Sequence, residues 1–415
     1  MTDTAAAPAM PTLDEIEAAR LRVYSIIDPT PMETSRYLST ELGSAVSLKC
    51  ENLQRTGSYK IRGAYNRLSG LSDEQKSHGV VAASAGNHAQ GVAFAARELG
   101  IKATIFMPLG VPLPKLQATR AYGAEVVLRG LTVDEPLRAA AEFAATTGAI
   151  LIPPFDHRDV IMGQATLGLE ILDDVPDLAQ VVVPIGGGGL ISGVAAAVKQ
   201  RAAELGRTIR VVGVQAENAA AYPPSLAAGE PIKIVTSPSM ADGIIVSRPG
   251  ELNFAIIKDL VDEVVTVTES DLARAVLVLL ERAKQVVEPA GAAGVAAILA
   301  GKVPAVDGPT VVILSGGNID PLLMQRIISH GLSASDRYLK LRIMLPDRPG
   351  QLARISELLA EANANVLEVL HTRNGRGQQI SEVELELSVE TRGPEHRQQV
   401  LEVLRSAGYQ PSVDE

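Results

Sequence analysis

The sequence predicts an α/β protein of two parts: an N-terminal part with parallel sheets covered by helices on both faces, and a small α+β module of the ferredoxin-like type at the C-terminus. As far as residue 328, short β-rich segments alternate with alanine-rich amphipathic segments, which is the order that builds parallel sheets. After residue 329 the order becomes strand, helix, strand, strand, helix, strand. With 415 residues and 46% hydrophobic content, the chain can form more than one core.

These patterns suggest four segments. Residues 1–12, rich in small residues and proline and lacking a basic start, are expected to be a disordered leader rather than a signal peptide. Residues 13–328 are expected to form the large α/β domain, with a smaller subdomain at about 52–150. Residues 329–336 are interpreted as a linker and 337–415 as the C-terminal domain.

The elements follow from hydrophobic periodicity, with Thr12 as the cap of a first helix. In the first part we predict strands at 79–83, 103–107, 124–128, 181–185, 211–214 and 310–314, and helices at 89–99, 115–122, 136–146, 192–205, 271–286 and 290–300. In the second part we predict strands at 338–345, 365–371, 381–390 and 409–413, helices at 351–362 and 394–407, and a turn at 375–377.

Composition narrows the function classes. The formal net charge of −10 and the pI near 5.3 argue against nucleic acid or an anionic membrane as the main partner. Every apolar run is too short to span a bilayer. The single cysteine, Cys50, rules out an internal disulfide framework and fits a reducing compartment, so we expect a cytoplasmic protein.

A lysine and a turn are the first candidate site residues. Lys60 stands among apolar residues beside Ser58 and Gly57, a setting that suits a Schiff-base nucleophile, although a solvated surface lysine is the commoner explanation for the motif alone. The sequence Ser84, Ala85, Gly86, Asn87 and His88, called here the SAGNH turn, lies between a predicted strand and helix. Its N–H groups could receive a carboxylate, or simply cap the helix.

A glycine run and a serine are two further candidate binding elements. Gly186, Gly187, Gly188, Gly189 and Leu190, called here the GGGGL loop, lie between a strand and a helix, where small residues let the backbone approach a phosphate. The spacing fits a dinucleotide-binding fingerprint poorly. Ser315 follows the strand at 310–314, where its hydroxyl could meet a heteroaromatic nitrogen, although a plain loop serine is the default interpretation.

Taken together, the motifs S-Y-K-I-R-G-A, S-A-G-N-H-A-Q-G, G-G-G-G-L and S-G-G-N resemble those of the threonine/serine dehydratases. These are pyridoxal-phosphate enzymes of the tryptophan-synthase-β-like fold, fold type II. The resemblance spans about residues 16 to 332. The C-terminal segment L-P-D-R-P-G-Q-L, at 345–352, resembles an ACT domain.

The resemblance implies a role for each candidate. Lys60 would form the Schiff base with pyridoxal 5'-phosphate and move the α-proton of the substrate. The other implied roles are binding of the cofactor's ring hydroxyl by Asn87, of the substrate carboxylate by the SAGNH turn, of the phosphate by the GGGGL loop and of the pyridine nitrogen by Ser315. Glu288 and Gly243 would lie near the ring.

The implied reaction is the elimination of water from L-threonine to give 2-oxobutyrate and ammonia, with L-serine as a further substrate. Because Ser315 is neutral, it need not hold the ring nitrogen protonated, which favours elimination over transamination. The resemblance also implies a homo-oligomer, dimer or tetramer, and an amino-acid effector such as isoleucine or valine at the ACT domain.

Several alternatives remain open at this level. Serine racemases carry a second serine where this chain has Ala85, so a two-base racemisation would lack one base and dehydration is favoured. Pro223 stands where some relatives have a metal-binding aspartate, so we expect no divalent metal, while a monovalent cation remains an open alternative. A non-catalytic amino-acid sensor and a nicotinamide-dependent oxidoreductase are alternatives of other classes. Threonine and serine differ by one methyl group, which a pocket discriminates by only about 1–3 kcal/mol.

Overall fold

The computed structural model of the protein describes residues 10–131, 134–334, 336–373 and 381–413. The chain divides into two compact units, with the boundary between Leu323 and Met324. Residues 1–9 of the expected leader and the turn expected at 375–377 lie outside the described residues.

The first unit contains strands and helices in regular alternation. Its strands are β1 (Met32–Thr34), β2 (Val46–Lys49), β3 (Val80–Ala83), β4 (Ala103–Met107), β5 (Glu125–Leu128), β6 (Ile150–Leu151), β7 (Gln180–Pro184), β8 (Arg210–Ala216), β9 (Glu263–Val267) and β10 (Thr310–Ile313). Its helices, the last of which continues past the boundary, are α1 (Leu13–Val23), α2 (Arg36–Leu42), α3 (Lys60–Ser69), α4 (Asp73–His78), α5 (Asn87–Glu98), α6 (Leu113–Ala121), α7 (Asp134–Thr147), α8 (Arg158–Asp174), α9 (Gly189–Glu204), α10 (Tyr222–Ala228), α11 (Glu251–Leu260), α12 (Glu269–Val278), α13 (Pro289–Leu299) and α14 (Pro321–Ala334).

Two sheets organise this unit. The smaller sheet has the order β5-β4-β3-β6 and is parallel throughout. The larger sheet has the order β1-β2-β10-β7-β8-β9 and is parallel except for β1, which runs antiparallel to β2. The predicted α/β class is therefore confirmed, and the N-terminal segment supplies two strands of the larger sheet.

Helices cover both faces of the central strands, so these strands lie in the interior of the unit. Every residue of β7 and β10 is buried, as expected for strands without a solvated face. Helix α8 has no counterpart in the sequence prediction. It packs against both α3 and α9, so apolar residues surround most of its circumference and no amphipathic period marks it. No helix in the described ranges has the length and apolar character needed to span a bilayer.

Two predicted segments require correction. The expected linker at 329–336 is helical as far as Ala334. One face of α14 carries the half-buried Leu323 and the buried Ile327 and Gly331 at a spacing of four residues. The helix predicted at 271–286 ends its α-helical part at Val278. It continues as one π-helical turn, after which Lys284 has a left-handed φ of 59° that no α-helix accommodates.

The second unit confirms the ferredoxin-like prediction. Its elements are β11 (Tyr338–Pro346), α15 (Gln351–Glu361), β12 (Asn365–Thr372), β13 (Glu382–Glu390), α16 (Pro394–Ser406) and β14 (Ser412–Val413). The antiparallel sheet has the order β12-β13-β11-β14. Strand β11 alternates buried and exposed residues, so its apolar face and those of α15 and α16 form one core.

Candidate active site

The carboxyl ends of β3, β7 and β10 open into one cavity of about 730 Å³. Ligands of parallel α/β sheets bind at this edge, because the loops there are free to vary. The lining includes every site residue proposed from the sequence: Lys60, Ser84, Ala85, Gly86, Asn87, His88, Gly186, Gly187, Gly188, Gly189, Leu190 and Ser315. Gly243 and Glu288 line it as well. Folding thus gathers four separate motifs at one place.

Lys60 is the first residue of α3 and is half-buried. Its Nζ donates a 2.9 Å hydrogen bond to the backbone oxygen of Pro154 and lies 5.2 Å from the centre of the Tyr59 ring. The backbone N–H of Tyr59 donates to the oxygen of Ser315 at 3.2 Å. The start of α3 is therefore tied to the loop after β10, which holds the lysine at the cavity wall.

Asn87 lies at the centre of a short chain of amides. Its Oδ1 accepts a hydrogen bond from Asn318 Nδ2 at 2.8 Å, and its Nδ2 donates to Glu288 Oε1 at 2.6 Å. The same Asn318 nitrogen donates to the oxygen of Thr56. These contacts fix the orientation of the Asn87 amide and leave its second N–H proton for a ligand in the cavity.

Glu288 occupies the N-cap position of α13, where its side chain makes no capping hydrogen bond, and is almost completely buried. Burial raises the pKa of this carboxyl to about 7, and the negative charge of Asp242 acts in the same direction. The positive charges of Lys115 and Lys60 and the Asn87 hydrogen bond oppose the shift. Glu288 is therefore divided between its protonated and ionised forms near neutral pH.

The SAGNH turn forms the N-terminus of α5. Ser84 Oγ accepts a 3.2 Å hydrogen bond from the N–H of Gly86, whereas the N–H groups of Ala85, Asn87 and His88 have no acceptor among the described residues. These donors and the positive end of the helix dipole suit a carboxylate.

His88, the last residue of the SAGNH turn, is buried, and its Nε2 lies 2.9 Å from the backbone oxygen of Ile152. A carbonyl oxygen only accepts, so Nε2 carries the proton. Burial, and then the charge of Lys60, lowers the pKa of His88 to about 3, which keeps the ring neutral.

The GGGGL loop leads from β7 into α9. Within the described chain, none of its backbone N–H groups has an acceptor. Gly188 has a φ of 104°, which favours glycine. A Cβ on Gly187 would overlap the ring of Phe155, and one on Gly188 would overlap the hydroxyl of Tyr222. That hydroxyl donates to the oxygen of Gly187 at 3.0 Å, which holds the loop in place and leaves its N–H donors available to an anion.

Several residues that contribute to the cavity wall are absent from the set of site residues proposed from the sequence. Pro154 and Phe155 contact Lys60 and the GGGGL loop, respectively, and Lys115 and Asp242 form an ion pair at the cavity wall. No local pattern marks the Pro154–Phe155 pair, whose place depends on the loop after β6. Asp242 could have been proposed from the sequence, because it immediately precedes Gly243, which the resemblance places near the cofactor ring.

These donors fit pyridoxal phosphate. The GGGGL loop offers unpaired N–H groups in a cradle that side chains would fill, and Lys60 supplies a primary amine. Ser315 is buried against the cavity, and its hydroxyl makes no hydrogen bond to any described residue, so it can face a pyridine nitrogen. In the described ranges, no group of three or more His, Cys, Asp or Glu side chains is arranged to hold a metal ion.

Comparisons with known proteins agree with this geometry. Residues 23–316 match the family model of pyridoxal-phosphate dependent enzymes, and residues 340–408 match that of the ACT domain. The chain is 45% identical to an L-threonine ammonia-lyase of Thermotoga maritima, over 97% of this chain and 100% of that one.

Two solved structures are similar to the catalytic part. The processed form of threonine deaminase isoform 2 from Solanum lycopersicum is 37% identical, with a TM-score of 0.71 over 78% of this chain and 95% of that one. Maize serine racemase is 35% identical, with a TM-score of 0.71 over 79% of this chain and 99% of that one. The chain therefore belongs to the pyridoxal-phosphate-dependent enzymes, with a fold type II catalytic part followed by an ACT domain.

Proposed function

We propose that this enzyme is an L-threonine ammonia-lyase, which eliminates water from L-threonine and releases 2-oxobutyrate and ammonia. One observation carries the proposal: Lys60, the SAGNH turn, the GGGGL loop and the neutral Ser315 line a single cavity. The relative from Thermotoga maritima, named L-threonine ammonia-lyase and matched over its whole length, supports the choice of substrate.

Each residue has a defined task in this proposal. Pyridoxal phosphate, when bound, supplies the ring that withdraws electrons from the substrate's α-carbon. Lys60 Nζ accepts the α-proton, and the Pro154 oxygen holds that nitrogen at the cavity wall. The SAGNH turn receives the carboxylate of the substrate, and Asn87 directs its free N–H proton toward the ring hydroxyl. The GGGGL loop binds the phosphate.

Ser315 controls the outcome of the reaction in this proposal. A neutral hydroxyl accompanies the ring nitrogen without fixing a proton on it, whereas an aspartate would hold that proton. We therefore expect S315D to lower the ratio of elimination to transamination. An unchanged ratio would contradict this role for Ser315.

Serine racemase is the second candidate, because the maize enzyme shares this fold at 35% identity. Ala85 favours dehydration over racemisation, because it lines the cavity without an ionisable group. Lys60 is then the residue that handles the α-proton, and inversion at that carbon has no second base at position 85. L-serine is expected to be dehydrated more readily than it is racemised.

The decisive experiment compares L-threonine, L-serine and D-serine as substrates of the purified holoenzyme. We expect visible absorption from the bound cofactor, 2-oxobutyrate from L-threonine and pyruvate from L-serine. Borohydride should fix the cofactor to Lys60, and K60A should lose activity. A preparation that stays colourless and inert with added pyridoxal phosphate would exclude the proposal, and D-serine formation that outpaces ammonia release would favour the racemase.

The ACT domain is proposed to bind an amino-acid effector such as isoleucine or valine. Asp347 and Gly350 belong to the loop between β11 and α15, and Gly350 adopts a φ of 92° there. Coupling requires that effector binding change the packing of a cytoplasmic homo-oligomer, dimer or tetramer. Activity, thermal stability and molar mass in solution with and without isoleucine or valine test this. If neither amino acid changes any of them, these effectors are excluded.

A further inference from the structure

An ion pair spans the wall of the active-site cavity. Lys115 belongs to α6, which packs on the smaller sheet, and its ammonium contacts Asp242 Oδ2. Asp242 begins a short 3-10 turn (Asp242–Ile244) that packs against α13, on the side of the larger sheet. Both residues line the cavity, so the pair joins the two halves of the catalytic unit at the place where substrate is expected.

The ammonium of Lys115 also lies beside the SAGNH turn. Its Nζ is 3.9 Å from the position that a Cβ on Gly86 would occupy, and apart from the chain neighbours of Gly86 no other described atom comes within 4 Å of that point. At Gly86, the described side chain nearest to the turn is therefore that of Lys115. The backbone N–H groups of Ala85 and His88, in the same turn, have no acceptor among the described residues.

The two partners differ in their exposure to water. The side chain of Lys115 is 10% exposed, whereas that of Asp242 is 51% exposed. If another anion takes over the ammonium, Asp242 can be hydrated at little cost, because a half-exposed carboxylate retains most of its solvation. Separating Lys115 from Asp242 without supplying another anion would cost more free energy, because the ammonium is mostly buried.

We propose that Lys115 is a substrate-binding residue that contacts the α-carboxylate at the SAGNH turn, and that Asp242 is the counter-ion it exchanges for that carboxylate. The inference rests on the proposed function and adds a specificity determinant to it. The ammonium and the turn together select substrates with a free, ionised carboxylate. Asp242 keeps the ammonium at the turn between turnovers.

The test measures binding and turnover separately in the holoenzyme. L-alanine has the carboxylate of the substrate but no β-hydroxyl group to eliminate, so its effect on the visible spectrum gives a dissociation constant. We expect K115M to raise this constant and the KM for L-threonine by about tenfold, the size of one lost charge-assisted contact, with a much smaller change in kcat. K115R should restore most of the binding.

Three further variants make the outcome specific. K115Q carries the same prediction if K115M is not recovered with bound cofactor. D242N should tighten L-alanine binding, because it removes the competing carboxylate. K199M, which breaks the ion pair between Lys199 and Asp262 outside the cavity, should leave both constants unchanged.

The results distinguish this inference from the proposed function. Unchanged L-alanine binding in K115M and K115Q would overturn the role of Lys115, even if the wild type converts L-threonine. Weaker binding in D242N, equal to that in K115M, would overturn the exchange. If the wild type releases no 2-oxobutyrate but K115M still loses L-alanine binding, the proposed function fails and the binding role of Lys115 stands.

Discussion

Asn87 donates a 2.6 Å hydrogen bond to Glu288 across the cavity, from the N-terminus of α5 to the N-terminus of α13. The two helices flank different sheets, so this bond connects the two halves of the catalytic unit at the candidate site. Its acceptor is a buried carboxyl whose pKa is near 7, and the bond is therefore sensitive to pH within the physiological range.

The first prediction concerns the pH dependence of stability. The pKa of Glu288 rises from 4.5 in the unfolded chain to about 7 in the folded protein, so its contribution is complete below pH 4.5 and is lost as pH rises through 7. We expect the wild type to lose on the order of 3 kcal/mol relative to E288Q between pH 4.5 and 8. Urea unfolding of both proteins across this range measures the difference. A difference that is independent of pH would contradict the assignment.

The second prediction concerns Asp156, whose carboxylate caps α11 by accepting from the N–H groups of Glu251 at 2.9 Å and Leu252 at 3.0 Å. Asp156 follows Phe155, which packs on the GGGGL loop. D156A should destabilise the protein by about 1 kcal/mol through the lost cap and, in addition, weaken cofactor binding.

A cap remote from the cavity provides the control for D156A. Ser35 caps α2 by accepting from the N–H of Leu38, and S35A should lower stability similarly without changing the dissociation constant of pyridoxal phosphate. Equal cofactor affinity in both variants would show that Asp156 acts only as a cap.

The third prediction concerns Arg62, which is completely buried and pairs with Glu51 and Glu170, each at 2.8 Å. R62L leaves the buried carboxylate of Glu51 without its guanidinium partner and Glu170 with Lys49 as its remaining buried cation, which costs about 3–5 kcal/mol. Chemical denaturation should show this loss. By contrast R201Q, which breaks partly exposed pairs with Glu204 and Glu17, should cost less than about 1 kcal/mol. Similar losses in the two variants would indicate that the buried network contributes no more than a surface pair.

The fourth prediction concerns the close contact between Gly187 and Phe155. A Cβ at position 187 overlaps the ring, so G187A should displace the GGGGL loop or the ring and weaken cofactor binding. F155L in the same protein should recover part of the affinity, because the smaller side chain leaves room for the methyl group. G110A is the control, since no described atom lies within 4 Å of a Cβ there. Normal cofactor affinity in G187A would show that the loop tolerates a side chain.

The sequence alone was sufficient to predict those structural features whose physical cause is local. The alternation of β-rich and amphipathic segments predicted the parallel sheets, and the β11 alternation predicted one face of the C-terminal core. Thr12 caps α1 as predicted, because a cap depends on residues a few positions apart, and in the structure Glu15 completes a capping box with it. Helix α8 was not predicted, because burial of most of its circumference removes the amphipathic period by which a helix is recognised in a sequence.

Residue types and motif order determined by themselves which chemistry the chain can support: an amine at Lys60, a glycine cradle, an anion-binding turn and a neutral Ser315. Only the tertiary structure decided that these groups line one cavity, that burial brings the pKa of Glu288 to about 7, and that Lys115 and Asp242 meet beside the SAGNH turn. The physical reason is that electrostatic shifts and contacts across the cleft depend on distance and solvent exclusion. Both are set by packing between segments far apart in the chain, which no local pattern records.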